Sequence, residues 1–119
     1  MTTVTTVTTV SKFGCRGLKL CTLGCWQVEL WLCPAGANIP LHHHERAAAL
    51  LFFLAGKMIW WGGRHGLVMR TFSLRRWIKV PANRKHGALV TGRFGAFLSI
   101  ERWAGRPDSL ANDLVEGAA

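Results

Sequence analysis

The sequence predicts a single-domain, all-β fold, a sandwich or barrel, and three observations lead to that prediction. The chain from Lys12 to Trp103 is a succession of short apolar segments, each of strand length. Glycine-rich turn signals separate the segments, at Gly24, 34–36, Gly56, 62–66, 81–85 and 92–95. Half of the 119 residues are hydrophobic, which is enough to fill the core of one domain.

The individual strands follow from these apolar segments, which are rich in the β-favouring residues Val, Ile, Phe and Trp. The predicted strands are 12–16, 18–23, 26–33, 38–44, 49–55, 57–61, 67–73, 76–80, 86–91 and 96–103. A helix is expected only at 108–115, where Asp108 or Ser109 would cap the first turn.

The two ends of the chain depart from this pattern. Residues 2–10 repeat TTV three times, a period that matches neither a strand nor a helix. We expect residues 1–11 to be a loose leader or an added edge strand. The barrel is then expected over 12–105, followed by a C-terminal tail at 106–119 that contains the short helix.

The charge of the chain is strongly positive and unevenly distributed. The formal net charge is +9, and the stretch between Arg46 and Ile100 has ten Lys or Arg and no Asp or Glu. Such a field favours an anion: a small carboxylate or phosphate, or a nucleic acid backbone. The basic residues are not interleaved with aromatics in a nucleic-acid-reading motif, so we expect a small anionic molecule. A solvated basic surface without a dedicated partner is the alternative.

Cysteines and apolar runs bear on where the protein works. Cys15, Cys21, Cys25 and Cys33 form no C-x-x-C pair, so we expect small apolar residues in strands, with a disulfide or a zinc clip as alternatives. No apolar run approaches the ~20 residues that span a bilayer, and the N-terminus lacks the pattern of a secretory signal. We expect a cytoplasmic protein.

The triplet His42–His44 is the first candidate site. In an extended strand His42 and His44 share one face and His43 points to the other. Two imidazoles on one face can reach one metal ion, although a surface pair leading into a buried strand would look similar.

These histidines also match a family motif: Gly, five residues, His-x-His, three or four residues, Glu, six residues, Gly. Gly36, His42, His44 and Gly56 fall in register with it. In this respect the sequence resembles the cupins, small double-stranded β-helix barrels of the jelly-roll type.

A second cupin motif agrees over the later part of the chain: Gly, five residues, Pro-x-Gly, two residues, His, three residues, Asn. Pro81 and His86 match it, with Asn83 at the second glycine position, where asparagine tolerates the left-handed turn. Arg75 and Val90 stand where the motif has its first glycine and its Asn. The resemblance covers roughly residues 26–103.

The resemblance implies a metal centre on His42, His44 and His86, but Ala49 occupies the position of the family's metal-binding glutamate. Three neutral imidazoles still suit zinc, iron(II), manganese, nickel or copper(II). A metal-free pocket is the alternative. Glu45 should point away from the ligand face. The other two acids within the barrel, at positions 29 and 101, are candidates to replace the lost carboxylate, but no spacing selects one of them.

Three functions remain open from the sequence. The first is an enzyme (dioxygenase, isomerase or lyase) whose three-histidine metal centre acts on a small carboxylate or phosphate. Arg93 is then the candidate counter-charge, with Arg75 and Arg84 as rivals. The second is a non-catalytic ligand-binding or sensor cupin without metal, and the third is a basic nucleic-acid-binding protein.

Adjacent aromatic pairs predict an oligomer. Trp60 and Trp61 must face opposite sides of one strand, so one ring of the pair lies outside the barrel. A second subunit usually covers exposed aromatic strips of this kind, and we therefore expect a homodimer.

Overall fold

The structure, a computed structural model, describes residues 8–62, 68–72, 77–107 and 113–115. These residues form antiparallel strands and turns, and no helix occurs among them. The strands are β1 (Thr8–Lys12), β2 (Cys15–Leu23), β3 (Trp26–Pro34), β4 (Asn38–His44), β5 (Ala47–Gly62), β6 (Val68–Phe72), β7 (Trp77–Val80), β8 (His86–Trp103) and β9 (Asp113–Val115).

Two long strands, β5 and β8, hold the fold together, because each takes part in two layers. The C-terminal part of β8 pairs with β3, which continues the order β1-β2-β3-β8, while the first part of β5 pairs with β7. The N-terminal part of β8 pairs with β4, and the last part of β5 pairs with β6. The alternation of side chains along both strands sends every second residue into one shared core.

This core is a single cluster that draws on both layers. Its buried members are Val10, Cys15, Trp31, Cys33, Leu51, Phe53, Met58, Trp60, Ile78, Val80, Ala88, Val90 and Phe97. On β3 the burial alternates residue by residue, with Gln27, Glu29 and Trp31 inward and their neighbours outward. The inward face of β3 is thus polar at its start and apolar further along.

Most predicted strands are confirmed, but the breaks predicted at Gly56 and at 92–95 are wrong. Both lie inside continuous strands, β5 and β8, so Arg93 is not in a turn. Gly56 and Gly95 instead allow β5 and β8 to approach each other closely. Gly56 has a φ of +90°, and a Cβ there would collide with the Phe94 carbonyl, while a Cβ on Gly95 would meet the Met58 side chain. The β5–β8 register shifts at this point.

The two ends of the chain form edge strands in the described residues. Thr8–Lys12 pair with β2, and a turn at Phe13–Gly14 interrupts the strand predicted at 12–16. The helix predicted at 108–115 is wrong for Asp113–Val115, which pair with β4; residues 108–112 lie outside the described part. Hydrogen bonds to a strand edge outweigh the marginal stability of a short helix. No helix in the described residues is long and apolar enough to cross a membrane.

Candidate metal centre

Three histidines from two strands converge at one end of the core. His42 and His44 project from the same side of β4, and His86, the first residue of β8, is the direct cross-strand partner of His42. One ring nitrogen of each residue lies within 4.8 Å of the other two. The ring centroids of His42 and His86 are 4.2 Å apart. His43, between the two β4 histidines, is not among the residues that line the adjacent cavity.

The turn before β8 places the third histidine. Asn83 adopts a φ of +65°, the left-handed conformation expected of it in place of glycine. Its backbone N–H donates to the carbonyl of His44 at 2.7 Å, so the turn is fastened to the end of β4. Arg84 N–H donates to Pro81 O at 3.3 Å and closes the turn. A backbone hydrogen bond therefore connects the segments that carry the two motifs, and their imidazoles lie close together.

Backbone carbonyls orient two of the rings. Nδ1 of His42 lies 2.7 Å from the carbonyl oxygen of Pro40, and Nδ1 of His86 lies 3.0 Å from that of Arg84. A carbonyl only accepts, so each Nδ1 donates a proton, and in the neutral ring Nε2 then keeps its lone pair. This is the outer-shell arrangement that ligating histidines usually have. The donor set therefore suits a metal ion.

The spacing of the rings fits one ion after a small adjustment. Nitrogens bound tetrahedrally at about 2.1 Å from zinc would be roughly 3.4 Å apart. The ring nitrogens in the structure lie within 4.8 Å of one another. Binding of one ion would therefore require separations of up to 4.8 Å to shorten to about 3.4 Å. Three imidazoles leave at least one coordination position open for water or a ligand.

The histidines line a partly open cavity of about 90 Å³. Its wall is mainly apolar, including Trp31, Ile39, Leu51, Met58, Trp60, Val80 and Phe97. Ala49 lies in this wall, so the position where the family has its glutamate does face the site but carries only a methyl group. Ligand pockets for drug-sized molecules are roughly 300–1,000 Å³. The cavity therefore suits a ligand of only a few heavy atoms.

The carboxyl group of Glu101, which the sequence alone did not select, lines the same cavity. Glu101 accepts hydrogen bonds at Oε1 from Trp103 Nε1 at 3.1 Å and from Gln27 Nε2 at 3.3 Å, and at Oε2 from Ser99 Oγ at 3.1 Å. Glu29, fully buried, also bonds to it. Burial first, and then the Glu29 carboxyl, raise the pKa of Glu101 from 4.5 to about 8, although the bonds from Trp103 and Ser99 oppose the rise.

Strand alternation was the signal that could have found this carboxyl. Phe97 and Trp103 are the inward-facing aromatic residues of the C-terminal part of β8, and both are buried. Residues at even spacing between them share their face, so Ser99 and Glu101 point inward as well. On β3 the same argument from Trp31 places Glu29 inside.

The predicted arginines do not gather at the cavity in the described residues. Arg93 is exposed on β8 and is not among the lining residues, Arg84 is half-buried in the turn, and Arg75 lies outside the described part of the chain. The substrate-binding role of Arg93 stays a prediction. A cationic side chain that does line the cavity is Lys12 of β1, which no sequence pattern indicated.

The cysteines are free, and two of them belong to the core. Cys15 and Cys33 are both buried and hydrogen-bonded to each other, which lowers the pKa of the Cys15 thiol and raises that of Cys33. Cys15 also lines the cavity. Cys21 is exposed and Cys25 is half-buried.

Three solved structures resemble this chain in fold. KdgF from Halomonas sp. superimposes with a TM-score of 0.73 and 15% identity, over 87% of this chain and 92% of that one. The cupin domain of Cnp3 from Schizosaccharomyces pombe gives 0.68 and 14%, over 79% and 64%. Oxalate decarboxylase from Lactobacillus farciminis, solved as a formate complex, gives 0.74 and 14%, over 98% and 38%.

No protein-family model matches the chain, and no curated protein matches it in sequence. The chain also spans only half the length of a DMSP lyase chain that it resembles with a TM-score of 0.68 and 17% identity. At 14–17% sequence identity, structural similarity establishes the fold alone. With its two layers joined by β5 and β8, the chain has the cupin fold, the double-stranded β-helix.

Proposed function

We propose that this protein binds one divalent transition metal ion through His42, His44 and His86 and uses the ion to act on a small anionic compound. The observation that carries the proposal is the convergence of one nitrogen from each of three imidazoles within 4.8 Å, beside a cavity. Zinc, iron(II), manganese, nickel and copper all accept such a ligand set.

The charge of the site supports an anionic substrate. Three neutral imidazoles would leave the full positive charge of a divalent ion, which attracts a carboxylate or phosphate oxygen and polarises it as a Lewis acid. Lys12 adds a cation to the same cavity. A likeness in fold to a decarboxylase named for oxalate, a small dicarboxylate, agrees with this class. Dioxygenase, isomerase and lyase chemistry are all consistent with such a site.

Ala49 favours a second candidate, a non-catalytic ligand-binding or sensor cupin without metal. The glutamate that would neutralise part of the ion's charge is replaced by a methyl group in the cavity wall. A nucleic-acid-binding role rests on net charge alone and has less support. Four free cysteines agree with the reducing environment of the cytoplasm, where we place the protein.

Metal content tests the proposal directly. Untagged protein is loaded with zinc, passed through a desalting column and analysed for metal, together with the variants His86→Ala and His43→Ala. We expect about one zinc ion per chain in the parent and in His43→Ala, and at least a tenfold loss in His86→Ala. His43 is the matched control because it lies on β4 between the two β4 ligands but outside the cavity. Stoichiometric zinc in His86→Ala would show that the ion is held elsewhere.

A further inference from the structure

The cavity contains a carboxyl group one strand away from the position where the family's glutamate is missing. Ala49 of β5 and Glu101 of β8 are direct partners in the antiparallel ladder. Direct partners present their side chains on the same face, and both residues line the cavity. Glu101 is not part of the cluster of ring nitrogens. Glu101 thus shares the cavity with the three histidines without belonging to their cluster.

Four residues contact the carboxyl group of Glu101. Trp103, Gln27 and Ser99 donate hydrogen bonds to its two oxygens, and Glu29 approaches from β3. Gln27 and Glu29 are inaccessible to solvent, with 2% and 0% of their surface exposed. Two carboxyl groups in contact inside a protein do not both ionise at neutral pH, because the second charge meets both burial and repulsion. The pKa of Glu101, raised to about 8, accordingly keeps a proton on Glu101 at neutral pH.

We infer that Glu101 is a catalytic acid–base residue: its proton is donated to the anionic ligand held at the three histidines, and Glu29 keeps that proton in the cavity. The inference rests on the proposed function for the ligand's position. In the transfer, the O–H bond of Glu101 breaks and a bond from the same proton to a ligand atom forms, leaving Glu101 as a carboxylate. Bulk water returns the proton after the product leaves.

This role makes anion binding depend on the protonation of the pair. With its proton Glu101 is neutral and offers a hydrogen-bond donor, whereas without it an additional negative charge faces the ligand. Ionisation of Glu101 near pH 8 should therefore weaken binding. Other titratable or charged groups share the cavity and face Glu101 from the remaining strands: Lys12 of β1, Cys15 of β2, His42 and His44 of β4, and His86 of β8. All of these are unchanged in the variants below.

The test measures the affinity of the zinc-loaded protein for glycolate by titration calorimetry between pH 6 and pH 9.5. In the parent we expect a constant affinity below pH 7 and a fall of about tenfold per pH unit above about pH 8. Glu101→Gln keeps a donor but cannot ionise, so its affinity at pH 9 should exceed that of the parent about tenfold. Glu29→Gln should move the decline to lower pH, because it removes the charge that repels ionised Glu101. Glu45→Gln, an exposed acid, should behave as the parent.

Identical pH profiles for the parent and Glu101→Gln would overturn the inference. A failure of the proposed function is detected separately: the protein would then contain no zinc before the titration begins. In that event infrared spectroscopy of the metal-free protein still decides whether the pair holds a proton. The carbonyl band of a protonated carboxyl should be present at pH 7 in the parent and absent in Glu101→Gln. Its absence from the parent at pH 7 would contradict a protonated Glu101.

Discussion

Residue 49 places a methyl group where a cupin metal site has a carboxylate, and this one residue separates the two candidate functions. Ala49 lines the cavity that the histidines face, so its position is right for a ligand although its side chain is not. Several other motif positions are occupied as the motif requires: Asn83 makes the left-handed turn, and the side chains of His42, His44 and His86 meet. The candidate site thus has the three histidines of the motif and lacks its carboxylate.

Restoring that side chain should strengthen metal binding. In Ala49→Glu a fourth, negatively charged ligand becomes available, and we expect the zinc dissociation constant to fall about tenfold, or about 1.4 kcal/mol. Competition with a chromophoric chelator measures the constant. Ala48→Glu is the matched control, because Ala48 is exposed on the opposite face of β5. Equal effects of the two substitutions would show that residue 49 does not approach the ion.

The histidines could be predicted from the sequence because two spaced motifs specify them. Strand alternation could place Glu101 on the inward face, but its pairing with Glu29 could not be predicted, because the two residues are distant in sequence and meet only through the β3–β8 pairing. Lys12 was predicted in a strand over 12–16, but it ends the edge strand β1, and nothing in the sequence indicated that it lines the cavity. Arg93 was placed by assuming a turn at 92–95 that does not exist. The three histidines are marked by local sequence motifs, whereas the charged residues around them are not.

At the scale of the strands, glycine explains both the successes and the errors. Gly24 and Gly36 have positive φ values and lie in turns, as predicted. Gly56 and Gly95 lie inside β5 and β8, where the absence of a side chain lets the two strands cross closely. A single sequence does not distinguish these uses. As a result, four predicted strands form two long ones, β5 and β8. Each takes part in both layers and contributes residues to the cavity.

For the whole molecule, the outer face of the larger layer bears on the predicted homodimer. Leu30, Leu98, Phe52 and Trp77 follow one another across β3, β8, β5 and β7 as direct cross-strand partners. Trp77 is 51% exposed, and its ring lies 4.6 Å from that of Phe52. Trp60, by contrast, is buried beside the cavity. An apolar row of this length is the kind of surface that a second subunit covers.

We propose that two copies of the chain associate through this row. Light scattering coupled to gel filtration at micromolar concentration should give twice the chain mass of 13.2 kDa. Trp77→Glu should yield the single chain mass, because burying an unpaired carboxylate in an apolar interface is costly. Arg93→Glu serves as a control, since Arg93 is exposed beyond the last β3–β8 pair. A monomeric parent protein would rule out the dimer.

The central claim, that three imidazoles hold one ion beside this cavity, is tested most directly by X-ray absorption of the zinc-loaded protein. We expect a first shell of nitrogen and oxygen at about 2.0–2.1 Å with outer-shell scattering from three imidazole rings. Loss of one ring's contribution in His44→Ala would identify the strand that supplies it. A shell dominated by sulfur at about 2.3 Å would assign the ion to cysteines and contradict the account.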